Sequence, residues 1–110
     1  MSRTILIVDD EAHLRTLIRQ ALEDLEDEGV ELLTASNGEE ALATIESVKP
    51  DLVFLDVMMP KLSGFDVCSR TKQTLGLTDV YIVLLTAKGQ EFDRRKGEEV
   101  GANLYMTKPF

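Results

Sequence analysis

Short apolar runs alternate along this chain with segments whose apolar residues recur every three or four positions. The run Leu52-Val53-Phe54-Leu55 has no polar interruption, ends in Asp56, and is followed by a turn marked by Pro60 and Gly64. A run so short and so uniformly apolar predicts a strand buried on both faces, the pattern of a parallel sheet. Thr4-Ile5-Leu6-Ile7-Val8, stopping at Asp9-Asp10, and Tyr81-Ile82-Val83-Leu84-Leu85, stopping at Thr86, predict two more of the same kind. Val30–Ala35 predicts another strand, placed nearer the sheet edge by Glu31, and Leu104-Tyr105-Met106 a short last one.

The intervening segments read as helices. Leu14, Leu17, Ile18, Ala21, Leu22 and Leu25 predict one apolar helix face, with Asp10 as a possible cap and Gly29 as its stop. Asn37 and Glu40 form a capping-box pattern with Asn in the usual Ser or Thr place. They precede a short helix lined by Leu42, Ile45 and Val48 and ended by Lys49-Pro50. Phe65, Val67, Cys68 and Leu75 mark a less regular helix, with Cys68 as a small core side chain. Residues 90–100 predict a helix with few apolar anchors beyond Phe92 and Val100 and with Gly97 inside it. Glycine costs roughly 1 kcal/mol against alanine in a helix, so this should be the least stable and most easily moved helix. Alternating strands and helices predict an α/β fold of βαβ units around one parallel sheet. Five strands with four helices leave one face short of cover.

Composition narrows the class. A chain of 110 residues is enough for one domain, spanning residues 1–110, and too short for two. With 44% hydrophobic and 29% charged residues it reads as an ordinary soluble domain. No run approaches a membrane span and the first residues lack a signal-peptide layout, so a cytoplasmic protein with no membrane partner is expected. The single cysteine excludes an internal disulfide. A net charge of -8 argues against direct binding to nucleic acid.

The strand ends carry the chemistry. Asp9 and Asp10, then Asp56, Thr86 and Lys108 each follow a predicted strand, and in a parallel sheet all open onto one edge, where ligands of such sheets gather. Three carboxylates brought together repel one another, and one lysine is too little to offset them. An oxygen-rich, thiol-free site selects a hard divalent ion such as Mg2+ (or Mn2+). A carboxylate, such an ion, a lysine and a hydroxyl around one space fit a phosphoryl group that Asp56 could attack. His13 falls in the first turn of an amphipathic helix and reads as a solvated side chain.

The segments I-L-I-V-D-D-E, L-V-F-L-D-V-M-M-P-x-x-x-G, I-V-L-L-T-A and L-Y-M-T-K-P-F, in this order, strongly resemble the receiver domain of bacterial two-component response regulators, chemotaxis regulators included. The resemblance runs from the first strand to the last residue. It implies a flavodoxin-like, doubly wound sheet of order 2-1-3-4-5 and phosphorylation of Asp56 by a sensor histidine kinase or a histidine phosphotransfer protein. Asp10, Asp56 and the main-chain carbonyl of Met58 would hold Mg2+, with Asp9 assisting through water. Lys108 would contact the phosphoryl group and be joined to Pro109 by a cis bond. Thr86 would swing toward the phosphoryl group and Tyr105 would turn inward behind it. The positions of Met58 and Lys88 would tune the phosphoryl lifetime, and Met58, with no group to position water, points to slow hydrolysis. Such a protein is a switch rather than an enzyme acting on an external metabolite. The family continues past Lys-Pro-Phe into a final helix, so a receiver truncated before that helix is expected, or a receiver homodimer covering the same surface.

Other classes would need different residues. A haloacid-dehalogenase-type phosphatase would carry a second acid where Met58 stands. A receiver-like module that had lost phosphorylation would not need all of Asp9, Asp10, Asp56, Thr86 and Lys108. A nucleotide-binding flavodoxin-like protein would show a glycine-rich phosphate loop.

Overall fold

The run at 52–55 becomes the middle strand because the strands on either side of it are equally apolar. The computed structural model describes residues 3–59, 62–86 and 92–107. In it β3 (Leu52–Asp56) lies between β1 (Thr4–Val8) and β4 (Tyr81–Thr86). β2 (Glu31–Ala35) and β5 (Leu104–Thr107) form the edges, so the order is 2-1-3-4-5, with every pair parallel. This is the expected order, and Glu31 is exposed on the edge strand it marked. Leu6, Val53 and Ile82 stand side by side across the three inner strands and are fully buried.

Two cores result. On one face α3 (Gly38–Val48) and α4 (Gly64–Ser69) pack over Leu6, Val53, Leu55, Ile82 and Leu84, with Val100 beyond α5 (Phe92–Glu99) joining them. On the other, Ile18 of α1 (Ala12–Ala21) meets Ile5, Ile7, Val83 and Leu85. Among the described residues no helix follows β5, and Phe54 and Met106 stay only partly buried on this second face. The expected shortage of cover is located there.

The single helix expected through Leu25 is in fact two. It breaks at Leu22 (φ -102, ψ 7), and a separate turn, α2 (Glu23–Glu26), follows. Glu23, Asp24, Glu26, Asp27 and Glu28 crowd this end with like charges three and four residues apart, and negative charge at a helix C-terminus opposes its dipole. Leu17, assigned to the apolar face, is 55% exposed, and only Ile18 is buried in α1. Nor does Asp10 cap it: the N-cap is Glu11, without a side-chain cap bond.

The remaining ends follow their residues closely. Asn37 accepts from the Glu40 amide at 2.8 Å, while the Glu40 carboxylate turns instead to Ser36. Ser63 and Asp66 form a complete capping box at α4. Beyond Ser69 the helix widens into a π turn (Arg70–Thr74), the source of its irregular apolar spacing. Lys49 ends α3 in the left-handed region at φ 53. A side chain is strained there and glycine is not, so Lys49→Gly should raise unfolding free energy by about 0.5–1 kcal/mol. Urea titration checks this, and an unchanged or lowered midpoint would refute it.

Cys68 is fully buried, as expected, its Sγ directed at the Val100 carbonyl at 3.5 Å. Burial pushes the thiol up from 9.0 to about 11, against the downward pull of the Lys72 ammonium. The folded protein therefore keeps this proton to higher pH than the unfolded chain does. Its stability contribution is whole below pH 9 and is lost as pH rises toward 11. At pH 8 a thiol reagent should label the native protein at least about 100-fold more slowly than the urea-unfolded chain. Equal rates would place the thiol at the surface.

Candidate functional site

The order reverses between β1 and β3, since the chain goes to one side of β1 for β2 and to the other for β3 and β4. The crevice at the carboxyl ends of two such strands is where ligands enter open α/β sheets. Asp9 directly follows β1 and Asp56 ends β3; one further step of the Val8–Leu55 register sets these two residues side by side. Thr86 ends β4, and the Val57 amide donates to Leu85 at 2.9 Å, carrying the ladder to the same edge.

Burial singles these residues out. Among the described residues the buried polar side chains are Asp9 (0% exposed), Asp56 (5%), Thr86 (2%) and Thr71. Thr71 is explained by its hydroxyl, which donates to the Val67 carbonyl one helical turn back. The other three were expected site residues. Carboxylates are rarely buried unless something compensates them, and sheet packing gives no reason for two of them at one crevice.

Local bonds orient both acids. Asp9 Oδ1 accepts from the Glu11 amide at 2.9 Å, and the Asp9 amide donates to Ala35 at 3.3 Å. Asp56 Oδ1 accepts from the Met58 amide at 3.2 Å. The Gly64 amide donates to Val57 at 3.0 Å, folding the loop that carries Met58 back over the strand end. A Cβ at Gly64 would clash with the Asp56 carbonyl oxygen, so only glycine lets α4 start this close to the acceptor strand. Met58 itself is 61% exposed at the mouth of the crevice.

Three carboxylates, of Asp9, Asp10 and Glu11, come within 4.8 Å of one another. Asp9 is buried and the other two are exposed. Glu11 was not among the expected residues, although its place directly after the acid pair could have flagged it; Asp56 stands outside this trio. The donors are all carboxylate oxygens, with no imidazole or thiolate, and so fit a hard divalent cation. Sequence reasoning also passed over Arg15, whose Nη1 donates to the Asp9 carbonyl at 2.6 Å. His13 is exposed and lies 3.3 Å from Glu11, in keeping with a solvated side chain.

Thr86 and Tyr105 share one face of the sheet. Thr86 is registered with Thr107, and Tyr105 with Leu84 two positions earlier. Gly97 of α5 rests against both Leu84 and the Tyr105 ring, where an added Cβ would come within 3.2 Å of each. Gly97 is thus a point of close approach rather than only a weakness of its helix. The expectations placed on Lys108, its cis bond to Pro109, Lys88, Pro60 and the Phe92 side chain lie outside the described residues.

The response regulator receiver domain, as a family model, matches residues 5–110. The alkaline phosphatase synthesis transcriptional regulatory protein PhoP of Bacillus subtilis is 49% identical over 110 residues, covering 100% of this chain and 44% of that protein. The chain thus spans less than half the length of this relative. PhoP is named a transcriptional regulator, so the expectation of no nucleic-acid partner does not carry over to the longer proteins. Among solved structures, chemotaxis protein CheY4 of Vibrio cholerae superimposes with a TM-score of 0.87 at 30% identity, covering 100% of this chain and 89% of that one. Response regulator protein TrrA of Thermotoga maritima, solved in complex with Mg(2+)-BeF, gives 0.80 at 39% identity, covering 98% and 88%. No helix among the described residues is long and apolar enough to cross a membrane. The chain belongs to the response regulator receiver domain family.

Proposed function

We propose that Asp56 accepts a phosphoryl group from a phosphohistidine on a sensor histidine kinase or a histidine phosphotransfer protein. One observation carries this reading above the others: a buried carboxylate ends the central strand at the switch point of the sheet, oriented by the Met58 amide and next in register to buried Asp9. A carboxylate oxygen of Asp56 forms the new bond to phosphorus. The bond from phosphorus to the histidine nitrogen breaks, its electron pair staying on the imidazole. The product is an acyl phosphate on Asp56.

Asp10, Asp56 and the Met58 carbonyl would hold Mg2+ or Mn2+, with Asp9 assisting, and Glu11 completes the acidic turn beside them. When bound, the ion supplies positive charge that offsets the carboxylates and the incoming phosphoryl oxygens. Lys108 is assigned the direct contact to the phosphoryl group. Phosphorylation adds nearly two negative charges and new acceptors at the crevice. The Thr86 hydroxyl is drawn toward them, and the Tyr105 ring turns into the space this vacates, against Gly97. Because α5 rests on the ring at Gly97, the ring's movement displaces the helix, and α5 with β5 is the two-state element. The domain acts as a regulatory switch in the cytoplasm and turns over no external metabolite. Pairing of two receivers through the partly covered sheet face is part of this reading.

Intact mass after incubation with acetyl phosphate tests the chemistry. One added phosphoryl group is expected with Mg2+ and none without it. The product should outlast free acetyl phosphate in the same buffer, because exposed Met58 offers no group to position water. Uptake that ignores Mg2+, or no uptake by a folded protein, would defeat the proposal.

A further inference from the structure

Arg15 lies six residues beyond Asp9 in the chain, yet its side chain returns to it. Helical side chains lean toward the N-terminus of their helix, and from the first turn of α1 that direction leads back to the acidic turn. The Nη1 atom donates to the main-chain carbonyl of Asp9 at 2.6 Å, and Arg15 is partly buried there. This partner is a neutral carbonyl, so the hydrogen bond leaves the guanidinium charge whole. That charge stands at the residue whose carboxylate forms the trio with Asp10 and Glu11. Glu11, the N-cap, brings its carboxylate to this trio without making a side-chain cap bond, and no further acid stands in the first turn of α1.

We infer that Arg15 is a positioning residue that serves as a built-in counter-cation of the acidic turn, standing in for the divalent ion when none is bound and opposing its entry. Arg15 holds the Asp9 backbone in place and at the same time weakens Mg2+ binding. The affinity of the site is then set low by a residue that never touches the ion. This rests on the reading of Asp9, Asp10 and Asp56 as the Mg2+ site.

The test is the melting temperature of the full chain as a function of MgCl2 concentration, with ionic strength held constant, for wild type, Arg15→Gln, Arg15→Lys and Arg19→Gln. The dissociation constant follows from the ligand-linked rise in stability. Removing one unit charge beside a doubly charged ion in largely aqueous surroundings should tighten binding by roughly three- to tenfold. Arg15→Gln should therefore show the smaller dissociation constant, Arg15→Lys should stay within about twofold of wild type, and Arg19→Gln, one turn further along, should change little. A role confined to fastening the turn predicts the opposite, weaker Mg2+ binding in both Arg15 variants, and that result would overturn the inference, as would an unchanged constant in Arg15→Gln. If Arg15→Gln is unfolded without the ion, its Mg2+-driven recovery of structure reports the same constant and is judged by the same comparison. A wild-type protein whose melting ignores Mg2+ would fail the metal-site reading itself, a result distinct from either.

Discussion

Asp56→Asn is expected to lower phosphoryl uptake by at least about 1,000-fold while leaving the domain folded, the scale seen when a nucleophile is removed. The two halves of this expectation have separate causes. The amide nitrogen and oxygen of asparagine cannot form an acyl phosphate by direct displacement, so no other route through position 56 survives. The fold is spared because Asn has nearly the shape of Asp and retains a carbonyl oxygen to accept from the Met58 amide, now at 3.2 Å from Oδ1. Asp56 is buried next to buried Asp9, and two carboxylates at one crevice oppose each other. Without Mg2+, then, the variant should melt no lower than wild type, and its stabilisation by Mg2+ should shrink, because one donor has lost its charge. Asp66→Asn is the control: it weakens the α4 capping box by up to about 1 kcal/mol but lies outside the crevice, and uptake should persist. Measured by intact mass and thermal melting, continued single uptake in Asp56→Asn would move the acceptor to another residue.

How far the residues announce this arrangement depends on what each is asked to reveal. Apolar runs reveal strands because the core of a parallel sheet admits nothing else, and so β1, β3 and β4 appear where Ile5, Val53 and Ile82 predict them. The acids at their ends become a site only through pairing, and it is the Val8–Leu55 register of β1 with β3, continued one step, that brings Asp9 beside Asp56. Periodicity is a weaker guide to helices whose electrostatics oppose it. Leu22 and Leu25 keep the apolar spacing of α1, but the acidic run beyond Leu22 ends the helix sooner. Ser63-x-x-Asp66 carries the capping signal in full, with Asp in place of the more familiar Glu, and was legible in principle. The reach of Arg15 to a carbonyl six residues back was not, since any polar position on α1 looks the same in a sequence. Glycine is the most ambiguous letter. Gly29 and Gly101 serve turns at φ +89, whereas Gly97 and Gly64 are glycines because something lies where a side chain would be.

Gly64→Ala isolates that last distinction and is expected to have a large effect on stability. The Cβ would clash with the Asp56 carbonyl oxygen and approach the Asp56 carbonyl carbon and the Val57 Cα to 2.9 Å. All three are backbone atoms of the central strand and its exit, held to β4 by the Asp56–Leu85 register and the Val57 amide's bond to Leu85, so they cannot move as the tip of a flexible side chain would. Relief must come from shifting α4 away or bending the end of β3. Shifting α4 pulls Phe65, Val67 and Cys68 from the first core, and bending β3 turns Asp56 out of the crevice. Overpacking of this kind should lower unfolding free energy by about 2–4 kcal/mol. Gly76→Ala provides the contrast, since its Cβ would meet nothing within 4 Å and only the backbone angle of φ +68 opposes it, for a loss of about 1 kcal/mol. Urea unfolding of the two variants separates close approach from turn geometry. Acetyl phosphate uptake then tells how the strain is relieved: loss in Gly64→Ala under conditions where it is fully folded means that β3 has yielded and carried Asp56 with it, and normal uptake means that α4 has moved. Equal stabilities for the two variants would refute the claim that Gly64 is required by contact with the acceptor strand.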